Sequence, residues 1–286
     1  MNEILVTIGL PVYNAEKFLK HAIMSILNQS FKDFELLIIN DGSTDSSLNI
    51  IKSFKDSRIR LLNDGCNKGL PYRLNQMARE TKTTYLARMD ADDIMHVDRI
   101  KIQMDILKKE LNIDVLGTNA YSIDENDNIE GVRNMINNEI VSVGSFIHPT
   151  IIGKTEWFIN NNYNLNALRF EDKELWFRTK EVSNFYCLNT PLLFYREFGG
   201  SYHNKYLIGI LSMLNLVVNH IKQKKYRSGF FWLYTAVKRI LKYFVYRLFS
   251  VFKIENLLIK NRNLDLSESK LKLAHEDLKV SIKSVN

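Results

Sequence analysis

The chain of 286 residues is poor in cysteine. Its two cysteines, Cys66 and Cys187, lie far apart and show no spacing of the kind that binds a metal. This argues against a zinc site and a disulfide framework, and it favours a reducing compartment. The first residues, Met1–Ile4, run directly into a strand-like segment without a basic region, an apolar region or a cleavage site, so we expect no secretion signal.

Long apolar runs, internal repeats and low-complexity linkers are also missing. No segment reaches the ~20 predominantly apolar residues of a membrane-spanning helix, so we expect none. Hydrophobic residues make up 45% and charged residues 25% of the chain, which is ordinary for a folded globular protein. A chain of this length buries a full core, in one large domain or two smaller ones.

Charge is unevenly distributed along the chain. The net charge is +7, but residues 206–286 carry 15 Lys and Arg against 5 Asp and Glu, a net +10, and residues 1–205 carry a net −3. This asymmetry indicates two parts with separate roles. A basic C-terminal part suits nucleic acid, an anionic lipid surface or a phosphorylated substrate, and charge alone does not choose among them.

The first 111 residues alternate between short apolar runs and segments in which apolar residues recur at helical spacing. The runs predict strands at 4–10, 34–40, 58–62 and 85–89, and the spacing predicts helices at 15–29, 46–54, 70–80 and 96–111. This alternation is typical of an α/β protein with a mostly parallel sheet covered by helices on both faces.

Unusual polar residues follow three of these strands, at Pro11–Asn14, Asp41–Asp45 and Asp90–Asp93. Ligands of such sheets bind at the carboxyl ends of the strands. The third segment holds three carboxylates, which repel one another and are costly to desolvate without a counter-charge. It fits either a polar loop that caps the next helix or a site for a hard divalent cation shared with substrate phosphates. Its position beside the other two strand ends favours the cation.

The second half of the chain is less regular. Further strands are predicted at 115–118, 186–188 and 192–196, with a hairpin turn at 124–128. A helix is predicted to begin at Glu171, where carboxylates in the first turn suit the helix dipole.

The C-terminal part changes character. Residues 206–220 predict an apolar helix, and residues 229–249 mix aromatic and aliphatic residues with lysine and arginine. This fits helices that lie in an anionic membrane interface; a helix packed on the sheet with a solvated basic face is the alternative. Residues 263–286 predict a lone helix or a fraying tail rather than a coiled coil.

Five motifs in this order resemble glycosyltransferase family 2, inverting enzymes with the GT-A fold. They are Pro11-Val12-Tyr13-Asn14, Asp41-Gly42-Ser43-Thr44-Asp45, Lys68-Gly69, Met89-Asp90-Ala91-Asp92-Asp93, and Glu171-Asp172 followed by Leu175-Trp176 and Arg178. The resemblance covers about residues 4–200. It implies a Rossmann-like GT-A catalytic domain over residues 1–205 and a basic, aromatic helical extension over residues 206–286. Similar members build bacterial capsule, O-antigen or exopolysaccharide repeat units on lipid carriers.

The same resemblance implies a nucleotide-sugar donor, with UDP as the expected nucleotide, and a divalent cation, Mn²⁺ or Mg²⁺, that neutralises the diphosphate. It makes Asp92 the metal ligand, and Asp90 a ribose contact that also reaches the metal. Asp41 is expected to accept a hydrogen bond from the base. The expected donor-binding residues are Pro11, Tyr13, Asn14, Glu16, Asp41, Lys68, Asp90, Ala91 and Asp92. For Tyr13, a structural role at the corner between strand and helix is the alternative.

On the acceptor side, the resemblance implies that Asp172 is the general base and that Glu171 orients the acceptor or the base. The alternative is that both carboxylates only favour the start of their helix. Weaker candidates are Asp93 at the sugar pocket or as a helix cap, His148 near the acceptor, Arg178 near the acceptor or paired with Glu174, Arg196 over the diphosphate, and His203 as a further metal ligand.

The expected activity is therefore inverting transfer of a sugar to a saccharide acceptor linked to polyprenyl diphosphate, by a cytoplasmic enzyme on the inner face of the cytoplasmic membrane. A nucleotidyltransferase acting on sugar phosphates is an alternative, but Pro11–Asn14 lacks the glycine-rich phosphate loop that it needs. A catalytically inactive, membrane-associated nucleotide-sugar-binding protein is another, and the presence of Asp90, Asp92 and Asp172 speaks against it. The basic residues stand among aromatic residues rather than on a reading surface, so we expect no nucleic-acid partner.

Overall fold

The structure is a computed structural model that describes residues 5–134, 146–197, 202–254, 257–258 and 262–284. Ile4, the first residue of the first predicted strand, lies outside this set. The strands are β1 (Val6–Val12), β2 (Phe34–Asn40), β3 (Ile59–Asn63), β4 (Tyr85–Arg88), β5 (Ile94–Met95), β6 (Val115–Ile123), β7 (Ile129–Arg133), β8 (Ile152–Lys154), β9 (Phe185–Arg196) and β10 (Asn263–Leu264). The helices are α1 (Leu19–Leu27), α2 (Ser47–Ser53), α3 (Leu70–Glu80), α4 (Arg99–Leu107), α5 (Thr155–Asn160), α6 (Glu171–Thr179), α7 (Tyr202–Ile208), α8 (Ile210–Lys222), α9 (Tyr226–Val251) and α10 (Glu268–Ser281).

The strands form one mixed sheet in the order β10-β7-β6-β8-β4-β1-β2-β3, with β9 alongside β6 and β5. The strands β4, β1, β2 and β3 run parallel to one another, and β9 runs parallel to β6. The strand β8 is antiparallel to both β4 and β6, and β7 is antiparallel to β6. The predicted α/β class with a mostly parallel sheet between helices is confirmed.

Successive side chains of β2 point to opposite faces of the sheet, and both faces are covered by helices. Leu36 and Ile38 pack in a core shared with α1, α2 and α4, and Leu37 and Ile39 pack in a core shared with α3, α5 and α6. All four side chains are fully buried. A strand that is buried on both faces reads as a continuous apolar run, and this is why residues 34–40 predict a strand without alternating polarity.

The order of the strands reverses at β1. This strand pairs with β2 on one side and with β4 on the other, so the chain runs outwards through β2 and β3 and then returns to the opposite side of β1. Because these strands are parallel, the loops that follow β1, β2 and β4 leave the sheet at the same edge. A reversal of this kind opens a crevice at the carboxyl ends of the strands.

Two groups of predicted elements in the second half have different bounds in the structure. The strands predicted at 186–188 and 192–196 are one strand, β9, whose pairing with β6 shifts register around Pro191. Proline has no N–H to donate to the ladder, so it marks a local irregularity here rather than a strand end. The helix predicted at 206–220 is divided at Gly209 into α7 and α8, and the basic aromatic region forms one helix of 26 residues, α9.

The C-terminal segment returns to the sheet. The strand β10 pairs with β7, and Ala274 and Leu278 of α10 are buried against Ile94 and Phe194. The expectation of a lone helix or fraying tail is therefore wrong. Local spacing could not show this docking, because the apolar partners of α10 lie in strands far away in the sequence.

Arg262 joins this return to the helices. Its Nη1 lies 3.3 Å from Oε1 of Glu197, directly after β9, and its Nη2 donates to the hydroxyls of Tyr206 in α7 and Tyr246 in α9. Arg133 of β7 pairs with the same carboxylate at 2.6 Å. Glu197 is buried, and two cations compensate its charge there. The helices α7 and α9 are thus held against the sheet at the place where the chain leaves it and returns.

The helices α8 and α9 form a hairpin that shares a small core with the start of α6, where Met213 and Trp232 pack against Phe170. Only four of the 26 residues of α9 are buried. A stripe of exposed apolar side chains runs along the outer face of α9: Phe230, Leu233, Val237, Leu241, Phe244 and Leu248. Among the residues that the structure describes, no helix has both the length and the apolar character needed to cross a membrane.

Replacing Leu278 by alanine should lower the free energy of unfolding by about 2–5 kcal/mol, because the buried side chain leaves a cavity between α10 and the sheet. Leu273 lies on the same helix and is 57% exposed, so Leu273→Ala is a matched control that should change stability by less than about 0.5 kcal/mol. Urea denaturation measures both. Equal, small effects would show that α10 does not dock on the sheet.

Candidate active site

A cleft of about 790 Å³ opens at the carboxyl ends of β1, β2 and β4. Its walls also include the start of α3, the start of α6 and the last residue of α7, Ile208. The predicted donor-binding residues that line it are Pro11, Tyr13, Asn14, Glu16, Asp41, Asp90, Ala91 and Asp92. Lys68 is the one predicted member that does not line it. The cleft therefore collects side chains from all three polar strand ends that the sequence singles out.

The carboxylates of Asp90, Asp92 and Asp93 are the one group within the described ranges that could hold a metal ion, with ligand atoms within 4.8 Å of one another. Asp92 is exposed, Asp90 is half-buried and Asp93 is buried. Burial raises the pKa of Asp93 well above its ordinary value, and the negative charges of Asp92 and Asp90 raise it further. Hard divalent cations prefer carboxylate oxygens, so this donor set fits Mn²⁺ or Mg²⁺, with Asp92 and Asp90 as the accessible ligands.

Arg88, the last residue of β4, supplies a counter-charge to this group. Its Nη2 lies 2.7 Å from Oδ1 of Asp90, and the arginine side chain is only 6% exposed. A buried guanidinium without an acidic partner would be strongly unfavourable, so the pair holds the Asp90 carboxylate next to the end of the strand.

Asp41, at the end of β2, organises the start of α3. Its Oδ1 accepts hydrogen bonds from the main-chain N–H of Lys68 and from Nε of Arg73, both at 2.7 Å, and its Oδ2 accepts one from the N–H of Gly69 at 3.0 Å. Gly69 has φ of +83°, which glycine adopts without strain. The side chain of Lys68 turns to Asp64, at 2.8 Å. A carboxylate has about four acceptor positions, so Asp41 keeps capacity for a ligand.

The loop after β1 is braced against the loop after β2. Asn14 has φ of +47°, and its Oδ1 accepts a hydrogen bond from the main-chain N–H of Thr44 at 2.8 Å. Asparagine is among the few residues that tolerate this left-handed conformation. Glu16 accepts a hydrogen bond from the N–H of Ser46 at 2.9 Å. Tyr13 is 52% exposed, so its ring offers an aromatic surface to the cleft.

Glu171 and Asp172 form the first turn of α6. Glu171 is buried and lines the cleft, and Asp172 is half-buried, with its Oδ1 accepting a hydrogen bond from the N–H of Lys173 at 2.7 Å. Burial raises the pKa of Asp172, and burial together with the charge of Asp172 raises the pKa of Glu171. A raised carboxyl pKa makes a better proton acceptor near neutral pH. Trp176, one turn later, is buried in the core and anchors the helix.

The chain matches the family model for Glycosyl transferase family 2 over residues 7–180, which is more than half of its length. It belongs to this glycosyltransferase family. Chondroitin synthase of Escherichia coli is 26% identical to it over 192 residues, which make up 65% of this chain and 28% of that protein. The chain spans only 28% to 39% of the length of the first three curated relatives that it matches.

Solved structures share the fold of this chain. TarS of S. aureus (residues 1–349, in complex with UDP) has a TM-score of 0.57 at 17% identity, covering 74% of this chain and 66% of that one. The mannosyltransferase PcManGT of Pyrobaculum calidifontis, solved with GDP-Man and Mn²⁺, has a TM-score of 0.56 at 12% identity, covering 99% and 86%. At these identities the likeness concerns the fold, and it confirms the GT-A architecture.

Asp93 and Arg196, two of the weaker candidates in this glycosyltransferase, stabilise the loop that carries Asp90 and Asp92. Asp93 does not cap the next helix, because α4 begins only at Arg99, so that interpretation is wrong. Its Oδ1 accepts a hydrogen bond from the main-chain N–H of Arg196 at 2.8 Å. The side chain of Arg196 is fully buried, donates to the carbonyl of Asp92 at 2.7 Å and pairs with Asp127. In this conformation it does not reach the cleft.

His148, Arg178 and His203 lie outside the set that lines the cleft. Nε2 of His148 is 2.8 Å from the hydroxyl of Tyr163, and burial lowers the histidine pKa well below its ordinary value. Arg178 pairs with Glu174 at 3.0 Å, as its alternative interpretation states. His203 lies on α7 and is not part of the carboxylate group described above. Roles for these three toward the acceptor or the metal stay predictions.

Several residues in or beside the cleft escaped the sequence analysis, among them Arg88, Arg169 and Ile208. Arg169 and Ile208 line the cleft from segments that carry no motif. For Arg88 a signal existed, because three carboxylates within four residues require a counter-charge and this arginine stands two residues before the first of them.

The raised pKa of Glu171 predicts a pH-dependent effect on stability. The folded state holds this proton more tightly than the unfolded chain, so the wild-type protein loses stability as pH rises from the unfolded value of 4.5 through the raised folded value. Glu171→Gln removes that loss. Its stability relative to wild type should therefore be higher at about pH 8 than at about pH 4. Urea denaturation at both pH values measures the difference, with Glu181→Gln, an exposed carboxylate, as the control. A pH-independent difference would contradict the prediction.

Proposed function

We propose that this glycosyltransferase inverts the anomeric centre as it transfers a sugar from a UDP-sugar to a saccharide acceptor, in the synthesis of a bacterial surface polysaccharide. One observation carries the proposal: a single cleft brings the accessible carboxylates Asp90 and Asp92 together with Glu171, the neighbour of Asp172. Asp90 and Asp92 can bind the cation that accompanies a diphosphate leaving group. Glu171 or Asp172 can accept the proton of an attacking hydroxyl, and inversion by single displacement needs one such base.

On the donor side, Asp92 and Asp90 are the proposed ligands of Mn²⁺ or Mg²⁺. The cation would act as a Lewis acid that stabilises the departing nucleoside diphosphate. Asp41 would accept a hydrogen bond from the base, and the exposed ring of Tyr13 would stack on it. The complexes of TarS with UDP and of PcManGT with GDP-Man and Mn²⁺ support a nucleotide-sugar donor, and the former favours UDP.

Asp172 is the proposed base. As the acceptor oxygen attacks the anomeric carbon, its proton passes to the carboxylate of Asp172, and the bond from sugar to phosphate breaks toward UDP. The raised pKa of Asp172 supports this role, because it strengthens the carboxylate as a proton acceptor. The hydrogen bond from the N–H of Lys173 orients the group. Glu171, which lines the cleft, would orient the acceptor.

A cluster of cations beside α6 supports an acceptor that carries phosphate. The pKa of Lys242 in α9 is lowered by partial burial and by the positive charges of its neighbours Lys173, Arg262, Lys238 and Arg239. Arg239 is also close enough to Asp172 for their charges to interact. Cations that repel one another next to the base form a region that attracts an anion. The diphosphate of a polyprenyl-linked saccharide has the matching charge.

The hairpin of α8 and α9 supports action at an anionic membrane surface, on the inner face of the cytoplasmic membrane. Phe230 is 73% exposed and Phe244 is 61% exposed on its outer face. Four cations lie at the junction of the two helices: Lys222 ends α8, Lys224 and Lys225 lie in the turn, and Arg227 is the second residue of α9. Exposed apolar side chains combined with basic residues are typical of a helix that lies in the interface of an anionic bilayer.

Wild-type protein should gain thermal stability from a UDP-sugar only when Mn²⁺ or Mg²⁺ is present, and it should release UDP when an acceptor is supplied. Asp172→Asn should keep the cation-dependent thermal shift, because the substitution leaves the β4 carboxylates intact. Its transfer rate should fall by about 10²–10⁴-fold, because the hydroxyl proton has no acceptor. Differential scanning fluorimetry and an assay of released UDP measure the two effects across a panel of nucleotide sugars.

Two variants complete this experiment. Asp92→Asn should lose the cation-dependent shift, and Glu181→Gln, 83% exposed, should behave as wild type. The donor assignment fails if the wild-type shift is independent of the cation or absent with every nucleotide sugar. Near-normal transfer by Asp172→Asn would place the base elsewhere.

Replacing Phe230, Phe244 and Leu248 together by serine should weaken binding to vesicles of phosphatidylglycerol and phosphatidylcholine by at least about tenfold, because each removes apolar surface from the interface. The matched control replaces three exposed apolar residues outside the hairpin, Leu111, Val182 and Leu273, and should bind as wild type. Co-sedimentation measures both. Wild-type protein that stays in solution with these vesicles would refute the membrane proposal.

A further inference from the structure

The strand β4 places Arg88 between the sheet and α6. Leu86 packs in the core that includes Leu175 and Trp176 of α6, whereas Ala87 packs on the opposite face of the sheet. Because side chains alternate along a strand, Arg88 faces the same layer as Leu86. Its side chain is almost completely buried. The guanidinium therefore lies below the cleft, between the carboxylates that follow β4 and those that begin α6.

Arg88 is only partly satisfied in this position. Nη2 pairs with Asp90 at 2.7 Å, but Nε and Nη1 are buried and have no hydrogen-bond partner within the described part of the chain. Oε2 of Glu171 is likewise buried and has none there. Buried polar atoms of folded proteins are nearly always paired, so unmatched donors and an unmatched acceptor of opposite charge at one site require an explanation.

The electrostatic surroundings show which groups share this guanidinium. The negative charges of Asp90, Glu171 and Asp172 all act on the guanidinium of Arg88. One cation thus faces the carboxylates of both halves of the cleft. A second buried arginine, Arg99, is fully committed to structure: it donates to the carbonyls of Arg88 and Ile151 and to the side chain of Gln103.

We propose that Arg88 is a positioning residue that couples the donor half of the site to the acceptor half. Its pair with Asp90 fixes the carboxylate that meets the donor. When donor and acceptor are bound, its two open donors engage Oε2 of Glu171, which has no partner among the described residues, and so place the turn that carries Asp172 in the geometry that the acceptor needs. The inference rests on the proposed function, because it assigns these two carboxylate groups to donor and acceptor. An arginine fork can serve two carboxylates at once, which the single ammonium of lysine cannot do in the same geometry.

Arg88→Lys tests the coupling, since it keeps the charge and removes the fork. Calorimetry with UDP and Mn²⁺ should show binding weakened by about threefold to tenfold, and kcat should fall by about 100-fold, as expected when reacting groups are misplaced by a fraction of an ångström to one ångström. Glu171→Gln should lower kcat in the wild-type background but have little further effect in the Arg88→Lys background. Arg99→Lys is the matched control: it should lower thermal stability while leaving the affinity for UDP and Mn²⁺ unchanged.

The outcomes separate the inference from the proposed function. If Arg88→Lys binds and transfers like Arg99→Lys, and Glu171→Gln has the same effect in both backgrounds, the coupling is refuted. If wild-type protein binds no nucleotide sugar, the proposed function fails and the inference falls with it.

A second double-mutant cycle tests the same coupling if Arg88→Lys does not fold. Asp90→Asn and Glu171→Gln should then be combined in the wild-type background, because both carboxylates are proposed to share one guanidinium. Their effects on the dissociation constant for UDP and Mn²⁺ should be non-additive, and additive effects would overturn the proposal.

Discussion

Mutual repulsion among the carboxylates after β4 is the constraint on which the rest of the site depends. Asp90, Asp92 and Asp93 can stand together at the end of a buried strand only because positive groups reach them from two directions. Arg88 approaches from the strand itself, through its pair with Asp90. Arg196 approaches from the end of β9: its main-chain N–H donates to the carboxylate of Asp93, and its guanidinium donates to the carbonyl of Asp92. Because β9 pairs with β6 as far as Arg196, this pairing places Arg196 where it can hold the loop of carboxylates.

That the residues proposed to bind the donor share one cleft could be predicted from the sequence, because the signals for it are local. Turn-forming and polar residues mark the strand ends in the sequence. Because the strands are parallel, the residues that follow them lie at one edge of the sheet. The helix predicted at 70–80 coincides with α3, where the turn at Gly69 and the proline at position 71 define its start. Asp41, in turn, finds its partners in that same turn and helix.

The rest could not be predicted, because it depends on contacts between distant segments. Asp93 has a short-range interpretation as a helix cap, but its partner is Arg196, which lies 103 residues away. Likewise, α10 shows weak heptad-like spacing, and only the assembled surface of β5, β6 and β9 gives Ala274 and Leu278 a place to pack. The open donors of Arg88 are visible only once α6 lies above β4. The number of carboxylates after β4 indicates that a positive charge must lie nearby, but it does not show which groups share that charge.

The return of the chain to the sheet after α9 changes what the helical hairpin can do mechanically. A segment fixed at one end swings freely, whereas the hairpin is fixed at both ends, near Glu197 and near Arg262, by one shared ion pair. Both ends of the hairpin meet the sheet at neighbouring points, so a rotation of the hairpin relative to the sheet would break the contacts of Arg262 with Glu197, Tyr206 and Tyr246. If the exposed apolar stripe of α9 rests on a membrane, as proposed above, these contacts fix the angle between the cleft and the membrane plane. The direction from which a membrane-bound acceptor enters the cleft is then set by the fold.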